Sequence, residues 1–109
     1  MRIYISVDLE GISNVVGSYQ ILQSTGALPE VRRYVTGDVN AAIRGALAAG
    51  VEEIWVNENH SGKDLLVDEI DRRAQVLTGK PKPLQTLEGL TESFDAVFLV
   101  GIHARAGTE

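Results

Sequence analysis

The sequence predicts an α/β chain, a three-layer arrangement around a mainly parallel sheet with right-handed crossovers. Three observations predict it. Short apolar runs rich in β-branched and aromatic residues recur at positions 3–7, 54–56 and 97–100. Between the first two lies a long stretch with helical spacing, in which Val31, Tyr34, Val35, Val39, Ala42, Ile43, Ala46 and Leu47 repeat at i, i+3 and i+4. The strand runs are apolar on both faces, as strands covered on both sides require. Strands alternating with helical segments give βαβ units.

The elements follow in order. Residues 2–8 form the first strand. Residues 9–29, with Gly11, Gly17, Gly26 and Pro29, form a long loop, and a loop of that length in a compact domain is usually functional. The helix covers 30–49 and ends at Gly50, where a left-handed cap belongs. Gly37 weakens its first part, so Thr36 or Asp38 is an alternative N-cap. Residues 51–57 form the second strand, and 58–63 a polar loop. Leu65, Leu66 and Ile70 give residues 64–73 the look of a short helix. A short third strand at 75–77, a Pro- and Gly-rich turn from Thr78, a helical turn at 86–93 and a last strand at 95–100 complete the chain. No helix pattern follows that strand, so residues 1–109 are expected to be one domain, the front part of a longer protein.

Composition narrows the chemistry. With 109 residues, 44% of them hydrophobic, the chain is long enough for a modest core. Its net charge is −5 and its ten Lys and Arg are scattered, which does not make a nucleic-acid stripe. There are no cysteines, so disulfides, Cys-based zinc sites and thiol nucleophiles are excluded, and a transition metal would need His, Asp and Glu. No apolar run approaches the ~18–20 residues of a membrane span, and the opening residues are a strand pattern rather than a signal peptide. A cytoplasmic protein is the expectation.

Chemistry-bearing residues gather at strand ends. Asp8 and Glu10 close the first apolar run, His60 follows the second and His103 the last. In parallel neighbours those carboxyl ends open on one edge, where open α/β sheets bind ligands. Residues two apart on an extended chain share a side, so Asp8 and Glu10 can face one cleft. One carboxylate can bridge two cations, and Gly11 lets the backbone turn close by. Gly101 permits close approach of another backbone. Each residue also has an ordinary reading: a solvated acid, a surface-loop His60, a His103 bonded to a carbonyl. Their shared placement favours a metal, and carboxylate with imidazole favours zinc. Ser6 and Ser61 show no triad, Trp55 reads as core, and Lys63 and Arg105 as surface cations able to meet an anion.

The segments Ser6-Val7-Asp8-Leu9-Glu10-Gly11-Ile12-Ser13, Val56-Asn57-Glu58-Asn59-His60-Ser61 and Gly101-Ile102-His103-Ala104-Arg105-Ala106-Gly107-Thr108, with Glu88-Gly89-Leu90, resemble the M55 family of zinc D-aminopeptidases in order and spacing. The resemblance spans essentially the whole chain. It implies hydrolysis of short peptides with N-terminal D-amino acids, such as D-Ala-D-Ala, at two zinc ions. By motif Asp8 would bridge the ions, Glu10 and His103 would serve one, and His60 the other. A ring-shaped homo-oligomer is also implied. The family's further glutamate ligand and catalytic histidine lie in sequence beyond residue 109, so no catalytic residue is named here.

Two alternatives stand beside this. The Asp8-x-Glu10 pair is similar to the acidic motif of magnesium phosphatases of the haloacid-dehalogenase type, although Glu10 replaces the second aspartate and the histidines suit zinc better than magnesium. The other is a non-catalytic zinc-binding or assembly module.

Overall fold

The computed structural model describes residues 1–108. Strand β1 (Arg2–Val7) leads through a loop into helix α1 (Leu28–Ala48), followed by β2 (Glu53–Glu58), β3 (Ala74–Leu77) and β4 (Ala96–Val100). All pairings are parallel and the sheet order is β3-β2-β1-β4. The α/β class is the one expected. β1 is central, with β2 on one side and β4 on the other. Chain order reverses between β1 and β4, and such a switch point is where ligands bind in open α/β sheets.

Alternation along the strands sorts their side chains. Ile3, Ile5 and Val7 of β1 and Ile54 and Val56 of β2 meet Val31, Val35, Val39, Ile43 and Ala46 of α1 in one core. These residues cluster because the apolar stripe of α1 has nowhere else to shed water. The helix begins at Leu28, earlier than Thr36 or Asp38. Pro29 sits in its first turn, and Val31 and Val35 are fully buried. Packing of those valines outweighs the cost of about 1 kcal/mol for a mid-helix glycine such as Gly37. Among the described residues no helix is long and apolar enough to cross a membrane.

The second face is covered differently from the expectation. Instead of a helix it carries the irregular 82–94 segment, with only a 3₁₀ turn at Gln85–Leu87. Tyr4 reaches out of β1 to donate to the Glu88 carbonyl at 2.6 Å and contacts Phe94 edge-on. Asn57 of β2 donates to the Gln85 carbonyl at 2.9 Å. Beyond this cover Val97 and Leu99 of β4 remain exposed. Trp55, expected in the core, is only half-buried and donates its indole N–H to Glu53.

Residues 64–73 are a run of turns, not a helix. Their amides are claimed by side chains from neighbouring elements. Leu65 N–H donates to the Glu58 carboxylate, Leu66 N–H to the Thr36 hydroxyl and Asp71 N–H to the Asn40 amide oxygen. Such side-chain acceptors compete with the helical ladder. Leu65 and Ile70 still reach the core. The 9–27 loop carries two 3₁₀ turns, Ser18–Ile21 and Gln23–Thr25.

Candidate metal centre

The ends of β1 and β4 are joined by their backbones. Asp8 N–H donates to the Val100 carbonyl at 3.0 Å, and Gly11 N–H to the Gly101 carbonyl at 2.9 Å. Both glycines are needed. A Cβ on Gly11 would lie 2.9–3.0 Å from the backbone of Gly101 and Ile102. Gly101 has φ +72°, and a Cβ there would meet the Asp8 carbonyl oxygen at 2.2 Å. Leu9, between the acids, is fully buried, which leaves Asp8 and Glu10 to flank it.

This clamp brings three donor groups together. Asp8, Glu10 and His103 each offer a ligand atom, and those atoms lie within 4.8 Å of one another. His103 Nε2 is 3.5 Å from Asp8 Oδ2. Its Nδ1 bonds the Ala104 carbonyl at 2.6 Å. A carbonyl only accepts, so Nδ1 carries the proton and Nε2 keeps its lone pair for a cation.

His60 arrives from the other side of β1. Asn59 N–H donates to the Val7 carbonyl at 3.0 Å, which fixes where the loop leaves the sheet. Asp64 then closes a turn by accepting from the Ser61 amide and hydroxyl. His60 Nε2 is 3.6 Å from Glu10 Oε1, and Nδ1 is 3.9 Å from Asp64 Oδ1. The four residues singled out from the sequence therefore line one rim, with His60 joined to the other three through Glu10.

The electrostatics match a site built for positive charge. Burial raises the Asp8 pKa above the usual carboxylate value, and a hydrogen bond shared with Glu10 raises it further. Burial also pushes Glu10 up, but the bond from Asp8 and the nearby imidazoles outweigh it and hold Glu10 below its usual value. The closeness of the two carboxylates thus pushes their pKa values apart, Asp8 up and Glu10 down. The His103 pKa is raised by the Ala104 carbonyl and then by Glu10 and Asp8. Glu10 Oε2 and His60 Nδ1 are buried with no hydrogen-bond partner among the described residues. Orphaned donors of mixed oxygen and nitrogen type fit a zinc ion.

The surroundings hold residues that the motifs did not reveal. Asp64, buried beside His60, looked like the start of a helix. Arg32 lies on α1 and lines a cavity of about 460 Å³ next to His60. Lys82, buried, donates to the Glu58 and Leu77 carbonyls, and burial lowers its pKa. No local pattern marks Arg32 or Lys82, since their partners lie 5 to 33 positions away. Arg105 is exposed.

Comparison with known proteins agrees with this fold. A curated D-aminopeptidase of Bacillus subtilis (strain 168) is 33% identical over 109 residues, covering 99% of this chain. The solved structure of the Zn-dependent D-aminopeptidase DppA from Bacillus subtilis, described as a self-compartmentalizing protease, superposes with a TM-score of 0.95 at 32% identity, again over 99% of this chain. The chain spans 40% of the length of each of these relatives. The profile of the Peptidase_M55 family, described as D-aminopeptidase, matches residues 1–109. With that match over its full length, the chain belongs to the Peptidase_M55 family.

Proposed function

We propose that this chain is the front domain of a zinc-dependent aminopeptidase that hydrolyses short peptides with N-terminal D-amino acids, of the D-Ala-D-Ala type. The observation that carries the proposal is the meeting of Asp8, Glu10 and His103 donor atoms within 4.8 Å, with His60 against Glu10. The DppA relative, a Zn-dependent D-aminopeptidase, supports it. The cytoplasmic setting and the ring-shaped homo-oligomer expected from the sequence belong to the same proposal.

In this reading, following the family resemblance, Asp8 would serve both zinc ions, Glu10 and His103 would hold one, and His60 would hold the other. Zinc, when bound, polarises the scissile carbonyl and acidifies the attacking water. The chain's own residues do the rest of what lies within residues 1–108. The Ala104 carbonyl keeps the proton on His103 Nδ1 and Nε2 free. Asp64, its Oδ1 3.9 Å from His60 Nδ1, stands where an outer-shell carboxylate would face a ligating histidine. The acidic pair attracts the free amine of a peptide.

The test is release of D-alanine from D-Ala-D-Ala by the full-length protein. Turnover should vanish on chelation, return with zinc, and be weak for L-Ala-L-Ala. Zinc bound without peptide turnover would identify a binding module instead. Hydrolysis of p-nitrophenyl phosphate with magnesium, surviving zinc removal, would identify a phosphatase.

A further inference from the structure

The cavity beside His60 is walled on one side by Ile21 and Leu28, and on another by Arg32 and Lys63. Its volume of about 460 Å³ falls in the ~300–1,000 Å³ range of small-molecule sites. Arg32 is held in an unusual way. Its Nε donates to the Asp64 carbonyl at 3.2 Å and its Nη2 to the Leu65 carbonyl at 3.0 Å. Both partners are neutral, and neither Arg32 nor Lys63 has an acidic partner within 4.0 Å among the described residues. Eight of the ten Lys and Arg have no acidic partner at that distance among the described residues, so what sets Arg32 and Lys63 apart is that both line one cavity beside His60. Asp64 also lines the cavity, but its oxygens are engaged by Ser61 and turned to His60.

We infer that Arg32, assisted by Lys63, receives the C-terminal carboxylate of the substrate. The inference rests on the peptidase reading above and deepens it. A guanidinium fixed by two bonds to carbonyls still has unspent N–H donors, and its planar fork suits a carboxylate. An extended dipeptide is about 7 Å long, at ~3.3–3.6 Å per residue. Its amine goes to the acidic pair, its carboxylate to Arg32, and the side chain of its second residue to Ile21 and Leu28. In that placement the substrate chain ends soon after the scissile bond, and blocking its carboxylate costs affinity.

The experiment compares D-Ala-D-Ala with its C-terminal amide on the full-length, zinc-loaded protein. Wild type should prefer the free carboxylate. Arg32→Met should lower kcat/KM for D-Ala-D-Ala by about 30-fold, as expected for loss of a charged hydrogen bond, through KM and with little change for the amide. Lys63→Met should give a smaller loss that fades with salt. Equal loss for both substrates in Arg32→Met would overturn the inference and leave Arg32 as a brace for the 64–65 backbone. So would a wild type indifferent to amidation. If no peptide is turned over, the peptidase reading falls first. Calorimetry of D-Ala-D-Ala against its amide then still decides the cavity: tighter binding of the acid, lost in Arg32→Met, upholds the site, and equal or absent binding overturns it.

Discussion

On the β4 side of β1 the rim is closed by main chain alone, and on the β2 side main-chain bonds are joined by a side-chain turn. Asp8 and Gly11 bond directly to Val100 and Gly101, and the glycines touch with no room for a Cβ. His60 is instead carried on a turn closed by the Asp64 carboxylate, above a backbone tied by Asn59 to Val7. The contrast teaches that one half of the rim is fixed by the fold itself. The other half can be adjusted by single substitutions without moving the sheet.

The largest effect is expected where the backbone clamp is broken. Gly101→Ala adds a Cβ 2.2 Å from the Asp8 carbonyl at a positive φ. Strain of that kind costs about 1–3 kcal/mol, and the clash adds to it. Thermal unfolding should show a loss of about 3 kcal/mol or more. An unchanged melting temperature would mean that the clamp is not rigid.

A smaller effect is expected on the adjustable half. Asp64→Asn keeps an acceptor for Ser61 but removes the charge beside His60. Zinc affinity measured by calorimetry should fall about 10–100-fold, the usual weight of an outer-shell partner. No change would show that the 3.9 Å approach to His60 is incidental.

The smallest lies on the face opposite α1. Burial pushes the Tyr4 hydroxyl up to about 12 from 10.0, with Asn57 opposing the shift and Glu88 reinforcing it. The folded state favours the neutral hydroxyl, so its contribution to stability is complete below pH 10. It is lost as pH rises toward 12. Ultraviolet titration of wild type against Tyr4→Phe should show this residue ionising near pH 12. Ionisation near pH 10 would mean that the 82–94 cover opens.

Much of this arrangement was legible in the sequence, and the exceptions have physical reasons. β1 and β2 announce themselves because buried parallel strands need unbroken apolar runs, as in the Ile3–Ile54 and Ile5–Val56 pairs, and β4 is apolar as well although Val97 and Leu99 stay exposed. Asp8, Glu10, His60 and His103 were visible because metal-capable side chains at strand ends have few ordinary reasons to coincide. The 64–73 turns were not, because Leu65, Leu66 and Ile70 have helical spacing while Glu58, Thr36 and Asn40 take the amides. The early start of α1 was hidden behind Gly37. Arg32 was unreadable for a related reason. Its role depends on two carbonyls more than thirty positions away, which no local pattern encodes.

The central position of β1 ties assembly to loading. Positions 8, 10, 60 and 103 are neighbours only after both flanking strands have docked, so no partly folded chain can present the complete quartet. Any ion held by these four residues therefore selects the finished fold and shifts the folding equilibrium toward it by mass action. In the proposed zinc enzyme, metal capture would then act as a checkpoint on completion of the fold.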